Sequence, residues 1–184
     1  MIDLSKYAPS TWPPHLAPIG EGFQKEPFKT WWLRNRQELQ HLDKRICEQW
    51  IYRHWGYTDF DFLELERLSY KSIFLSAQEI VYSVAYDRGV TLTPETDRHV
   101  FERSAAGIPI APATAFQRLN TWDYPIITLE AAGGYIGRRA SSLEPSLVLI
   151  EGHQRFRYLT SLVHHYDAPE GPHEVFVLKT DQTL

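Results

Sequence analysis

The chain has 184 residues, 43% hydrophobic and 14% aromatic, with a formal net charge of −4. This is enough apolar material for the core of one domain, or of a compact domain with an extension, and the acidic balance argues against a protein that coats DNA through overall charge while leaving room for a local basic site. No apolar run approaches the ~18 residues of a membrane span, so no membrane insertion is expected. Residues 1–6 lack the basic-then-apolar layout of a secretory signal, and the single cysteine, Cys47, has no internal disulfide partner, so a cytoplasmic setting is expected.

Residues 1–28 carry Pro9, Pro13, Pro14, Pro18 and Pro27 with Gly20 and Gly22. Such density forbids a regular helix or a central strand. Trp12, Leu16, Ile19 and Phe23 make the stretch too apolar for a free tail, so an arm laid over the surface is expected. Residues 28–55 contain neither proline nor glycine, and Leu39, Leu42, Ile46 and Trp50 form a helical stripe, which predicts one long amphipathic helix stopped at Gly56. Its aromatic weight (Trp31, Trp32, Trp50, Tyr52, Trp55) reads either as a stacking platform for single-stranded nucleic acid or as packing, and packing is favoured because most of these rings share the stripe. The acidic, aromatic stretch 58–70 predicts a short helix. Ser76-Ala77-Gln78-Glu79 is a capping box opening a helix. Thr93-Pro94 opens another that runs to about Gly107. Residues 1–107 thus read as an extended arm and a mostly helical N-terminal part.

Ile108-Pro109-Ile110-Ala111-Pro112 is expected to be extended and marks a change of character. A short helix at residues 113–119, a strand at 126–130 and a closing strand at 175–178 follow. Between them lies Leu147-Val148-Leu149-Ile150-Glu151-Gly152-His153-Gln154-Arg155-Phe156. Four aliphatic residues read as a buried strand, Glu151-Gly152 breaks the run, and Phe156, Leu159 and Val163 recur on one helical face. The fold class expected is α+β: a small mixed sheet flanked by helices, residues 108–184, behind a helical extension, the two forming one compact unit.

A strand–turn–helix junction leaves free backbone N–H groups at the positive end of a helix dipole, the ingredients of a phosphate cradle. Gly152 permits close backbone approach. Arg155, one turn in, has the planar fork for bidentate anion binding, whereas Arg157 points about 200° away from it. Gly133-Gly134-Tyr135-Ile136-Gly137-Arg138-Arg139 reads either as a glycine-rich lid with two phosphate-binding arginines or as a solvent-exposed hairpin tip. Glu151 either binds Mg²⁺ and orients a water, or caps the helix after it. His153 either donates to a phosphate or acts as base, or is a capping histidine. No known ligand spacing unites His153, His164, His165 and His173 into a metal site.

Ile150-Glu151-Gly152-His153-Gln154-Arg155 resembles the Asp/Glu-Gly-His-His-Arg signature of the ParB/sulfiredoxin superfamily. Tyr124-Pro125-Ile126-Ile127-Thr128-Leu129 is similar to that family's upstream strand, and Glu174-Val175-Phe176-Val177-Leu178-Lys179 to its closing strand, so the resemblance covers roughly residues 108–180. It departs from the sulfiredoxin branch, which carries a reactive cysteine in the turn. No helix-turn-helix DNA reader of the partition-protein kind is expected after Leu178. The overall likeness is to small plasmid-encoded fertility-inhibition members of the oncogenic-suppression (Osa) type. That resemblance implies an ATP-binding and hydrolysing protein with metal-dependent DNase activity that blocks conjugative or type IV secretion DNA transfer. Glu151, His153 and Arg155 would be catalytic. Arg138, Arg139, Gly152, His153, Gln154 and Arg155 would bind nucleotide, and Glu151 would hold Mg²⁺ or another divalent cation. DNA and secretion components are the implied partners. A non-catalytic interaction module and a serine-type small-molecule kinase are the alternatives.

Overall fold

The computed structural model describes residues 2–3, 8–86, 92–107, 110–131, 134–137, 142–143 and 147–182. In chain order the elements are β1 (Ile2–Asp3), α1 (Phe28–Asn35), α2 (Lys44–Ile46) continuing as a π-helical run Cys47–Tyr52, β2 (Leu68–Leu75), α3 (Ala77–Ser83), β3 (Val84–Ala85), α4 (Pro94–Asp97), α5 (His99–Ala105), α6 (Ala111–Leu119), β4 (Ile126–Glu130), β5 (Tyr135–Ile136), β6 (Ser142–Leu143), β7 (Leu147–Glu151), α7 (His153–His164) and β8 (His173–Thr180). The fold is α+β, built on a mixed five-stranded sheet in the order β2-β8-β4-β7-β3. The β2/β8 and β4/β7 pairs are antiparallel, and β4/β8 and β3/β7 are parallel. A second, small sheet runs β1-β5-β6.

The strands alternate between two cores, as the two-residue period of a strand requires. Ile127, Leu129, Val148, Ile150, Phe176 and Leu178 face the layer made by the arm and residues 28–65. Ile126, Leu147, Leu149, Val175 and Val177 face the helices, chiefly α3, α6 and α7. The central strands are therefore apolar on both faces and read as continuous hydrophobic runs. Trp12, Trp31 and Trp50 are buried in the first core, with the Trp12 and Trp50 rings edge to face at 5.2 Å. Their N–H groups are satisfied: Trp12 donates to the Leu63 carbonyl, Trp31 to that of Leu16, and Trp50 to Thr58 Oγ1. These rings are packing, as aromatic size favours.

Five expectations change. The stretch 28–55 is not one helix: α1 gives way to turns after Asn35, and the Asp43 carboxylate, accepting from the Arg45 N–H at 2.7 Å, starts α2 afresh. An internal aspartate offers the backbone a cap, and so competes with an unbroken helix. The stretch 58–70 holds only a single 3-10 turn, Leu65–Arg67, before β2. The first 107 residues are therefore not merely helical, because β2 and β3 both enter the main sheet. The helix expected from Pro94 to about Gly107 divides at Arg98 into α4 and α5. Ala111-Pro112 is not extended but opens α6, where proline fits the first turn. The arm is anchored by buried Trp12 and Leu16, whereas Ile19 and Phe23 are exposed.

Candidate functional site at the β7–α7 junction

Glu151 ends β7, Gly152 takes a left-handed conformation at φ +96°, and α7 starts at once, with no side-chain cap on its first-turn N–H groups among the described residues. The glycine is demanded by the fold itself: a Cβ there would lie 2.6 Å from Ile126 Cγ2 on the neighbouring strand. A β-bulge then sets the direction of the carboxylate. Thr128 pairs with Leu149, but Ile127 pairs with Glu151, so Ile150 and Glu151 together oppose one residue of β4. Regular alternation would send Glu151 to the helix side; the extra residue turns it to the side of Ile127, toward the N-terminal aromatic layer.

There the carboxylate meets basic groups from two directions. His54 Nε2 lies 3.2 Å from Glu151 Oε2, a close contact whose N–H alignment falls short of a hydrogen bond. His153 Nδ1 stands 3.9 Å from the same oxygen, and Arg155 Nη1 4.0 Å from Oε1. Burial pushes the Glu151 carboxyl up, but the His153 and His54 rings outweigh it and hold the group well below the usual carboxylate range. Arg155 is itself buried and clamped by Asp123, with Nε donating to Oδ1 at 2.7 Å and Nη2 to Oδ2 at 3.3 Å, and its guanidinium lies 5.7 Å from the Tyr124 ring centre. Burial drives the Asp123 carboxyl up, and Arg155 together with the backbone N–H groups of Tyr124 and Asp123 brings it below its ordinary value. The result is a chain of polar side chains, Asp123–Arg155–Glu151–His54, running from the loop before β4 to the aromatic layer.

The sequence-predicted residues thus divide. Glu151, Gly152, His153 and Arg155 come together at the junction. Gln154 turns along the helix and donates to Tyr158 Oη at 2.8 Å. The His153 ring packs edge to face on Tyr86 at 5.7 Å. Arg155 directs its fork at Asp123 and stands 4.0 Å from Glu151. Arg157 points elsewhere, onto Asp97 at 2.5 Å. Arg138 and Arg139 lie outside the described residues. His164 contacts Glu95 at 3.3 Å, and His173 bonds Thr121 Oγ1 at 2.9 Å, so neither joins His153. Among the described residues no three histidine, cysteine, aspartate or glutamate side chains gather as a metal-holding group. Burial of Cys47 pushes its thiol up to about 12, which makes it a poor nucleophile.

Sequence reasoning missed His54 and Asp123. Asp123 directly precedes the Tyr124-Pro125-Ile126 stretch, and asking which carboxylate balances Arg155 would have led to it. No spacing signal leads to His54, because its approach to Glu151 depends on the bulge and on the packing of a separate layer. No family model, curated protein or solved structure matches the chain.

Proposed function

We propose that the chain binds a nucleoside triphosphate, ATP in the first instance, at the β7–α7 junction and hydrolyses it. One observation carries this reading: an ionised carboxylate, Glu151, set between the rings of His54 and His153, stands beside an α7 N-terminus that no described side chain caps. Uncapped amides and the helix dipole favour phosphate oxygens. A fixed carboxylate next to them can orient an attacking water by accepting a hydrogen bond from it. Arg155 and the two histidines offset the repulsion between that carboxylate and the phosphates. In this proposal Arg138 and Arg139 cover the phosphates, and the protein works in the cytoplasm; among the described residues no helix is long and apolar enough to cross a membrane.

The junction suits a divalent cation held by protein alone poorly, because the Glu151 carboxylate already faces two imidazoles and a guanidinium. Mg²⁺ commonly enters such sites with the phosphates it accompanies, keeping its waters and taking one or two carboxylates. Metal-dependent DNA cleavage, and inhibition of conjugative or type IV secretion transfer, follow from the resemblance to the fertility-inhibition proteins and join the proposal on that ground.

Phosphate release from MgATP by purified protein tests the reading. Glu151→Gln is expected to lower kcat by about 100-fold, the scale of a misoriented reacting group, and His153→Ala to weaken nucleotide binding. Equal turnover by the wild type and Glu151→Gln would remove the assignment. Plasmid nicking and a mating assay test the DNA-directed part. The bidentate filling of Arg155 by Asp123 favours a second reading, in which the junction holds nucleotide without turning it over; stoichiometric binding without phosphate release would select it. Transfer of the phosphate to a hydroxyl acceptor such as serine would indicate the kinase alternative.

A further inference from the structure

We propose that His54 is a positioning residue of the same site, so that the N-terminal aromatic layer is part of the working machinery as well as a cover for the sheet. The inference rests on the hydrolytic reading above and names a residue outside the segment that carries the resemblance.

Three observations support it. First, the bulge in β7 turns Glu151 out of the alternation of its strand and toward the aromatic layer. Bulges re-aim single side chains in this way, and they concentrate next to active sites. Second, the backbone of the residue that meets Glu151 is tied down at both its N–H and its carbonyl. The His54 N–H donates to the Trp50 carbonyl at 2.9 Å, and the His54 carbonyl accepts from Tyr57 and Thr58. Thr58 Oγ1 in turn accepts from Trp50 Nε1 at 2.9 Å and from the Phe60 N–H at 3.3 Å. Trp50 is fully buried, so the turn carrying His54 hangs from the core. Third, His54 Nε2 is shielded from solvent, and its close partner among the described residues is Glu151 at 3.2 Å.

The carboxylate is therefore braced on two sides, by Arg155 at 4.0 Å from α7 and by His54 from the opposite layer. A group that must aim at a water beside a bound phosphate gains rate from fixed orientation, and a displacement of about 1 Å can cost 100-fold. Removing His54 leaves the Glu151 carboxylate in place, with one of the groups that lower its pKa gone, and free to swing. The loss should appear in kcat and spare the phosphate contacts of the α7 N-terminus.

The experiment is steady-state MgATP hydrolysis by the full chain as wild type, His54→Ala, His54→Gln, Glu151→Gln and the His54→Ala/Glu151→Gln double variant, with a thermal melt of each. His54→Gln retains an N–H donor near the position of Nε2. The expected result is a fall in kcat of about 10-fold or more for His54→Ala with KM within about 2-fold, substantial recovery in His54→Gln, and a double variant no slower than Glu151→Gln alone, as for residues acting as a unit. Wild-type kcat in a folded His54→Ala, or losses that multiply in the double variant, would overturn this inference alone. A folded wild type without turnover would overturn the hydrolytic reading, and this one with it.

Discussion

At Glu151 two opposing effects meet. Burial raises the carboxyl, the His153 and His54 rings lower it, and the lowering wins. A group whose folded pKa is depressed binds protons more weakly than in the unfolded chain. It therefore contributes stability above its unfolded value of about 4.3, and that contribution disappears as pH falls toward the folded value. Chemical denaturation of the wild type is expected to show stability declining below about pH 4.3, with a shallower decline in Glu151→Gln; identical slopes would mean that the charge contacts at the junction do not stabilise the fold. Asp123, held below its ordinary value by Arg155 and by backbone N–H groups, contributes with the same sign and remains in both proteins. At this scale the structure brings together Glu151, His153 and Arg155, three of the residues that the sequence singled out. The sequence could not show that the Arg155 fork faces a carboxylate, because charge partners are chosen by folding.

At the scale of elements, the strand–turn–helix unit was legible because each part has its own local cause. The run Leu147–Ile150 suits a strand buried on both faces, Gly152 suits the left-handed turn, and Phe156 and Leu159 lie on the packed side of α7. The glycine also carries a tertiary demand, since Ile126 occupies the space of a Cβ. A strained backbone and an overpacked contact cost about 1–3 kcal/mol each, so Gly152→Ala is expected to destabilise by about 2–6 kcal/mol, measurable as a lowered denaturation midpoint. An effect below about 0.5 kcal/mol, ordinary for a surface change, would show that β4 and β7 can part without cost. The capping box at Ser76–Glu79 was equally local and is present in both of its hydrogen bonds. The long helix was misread because absence of proline and glycine permits a helix without requiring one, and Asp43 prefers to start a new one. Strand β2 was missed because Ser69, Lys71 and Ser72 are the polar positions of an edge strand, whose one paired neighbour, β8, lies at the far end of the chain.

At the scale of the whole molecule, the sheet joins both halves of the sequence. β2 and β3 come from the first 107 residues and flank β8, β4 and β7 from the rest, while residues 28–65 cover one face. A fragment of residues 108–184 would expose Ile127, Leu129, Val148, Ile150, Phe176 and Leu178 and leave the β8 edge unpaired. It is expected to lack a cooperative thermal transition and dispersed amide resonances. A folded fragment would show the covering layer to be dispensable, and would weaken the role assigned to His54.

The sequence by itself determined the α+β class, the strand at Ile126–Glu130, the β7–Gly152–α7 junction and the side-chain chemistry gathered there. These follow from periodicity, turn propensity and capping, which act over a few residues. Tertiary structure alone decided which way Glu151 points and what meets it. One extra residue in β7 reverses the facing of a side chain, and the layer holding His54 packs where Glu151 arrives. Register and layer packing are set by contacts between segments distant in the chain, and a single sequence carries no local mark of them.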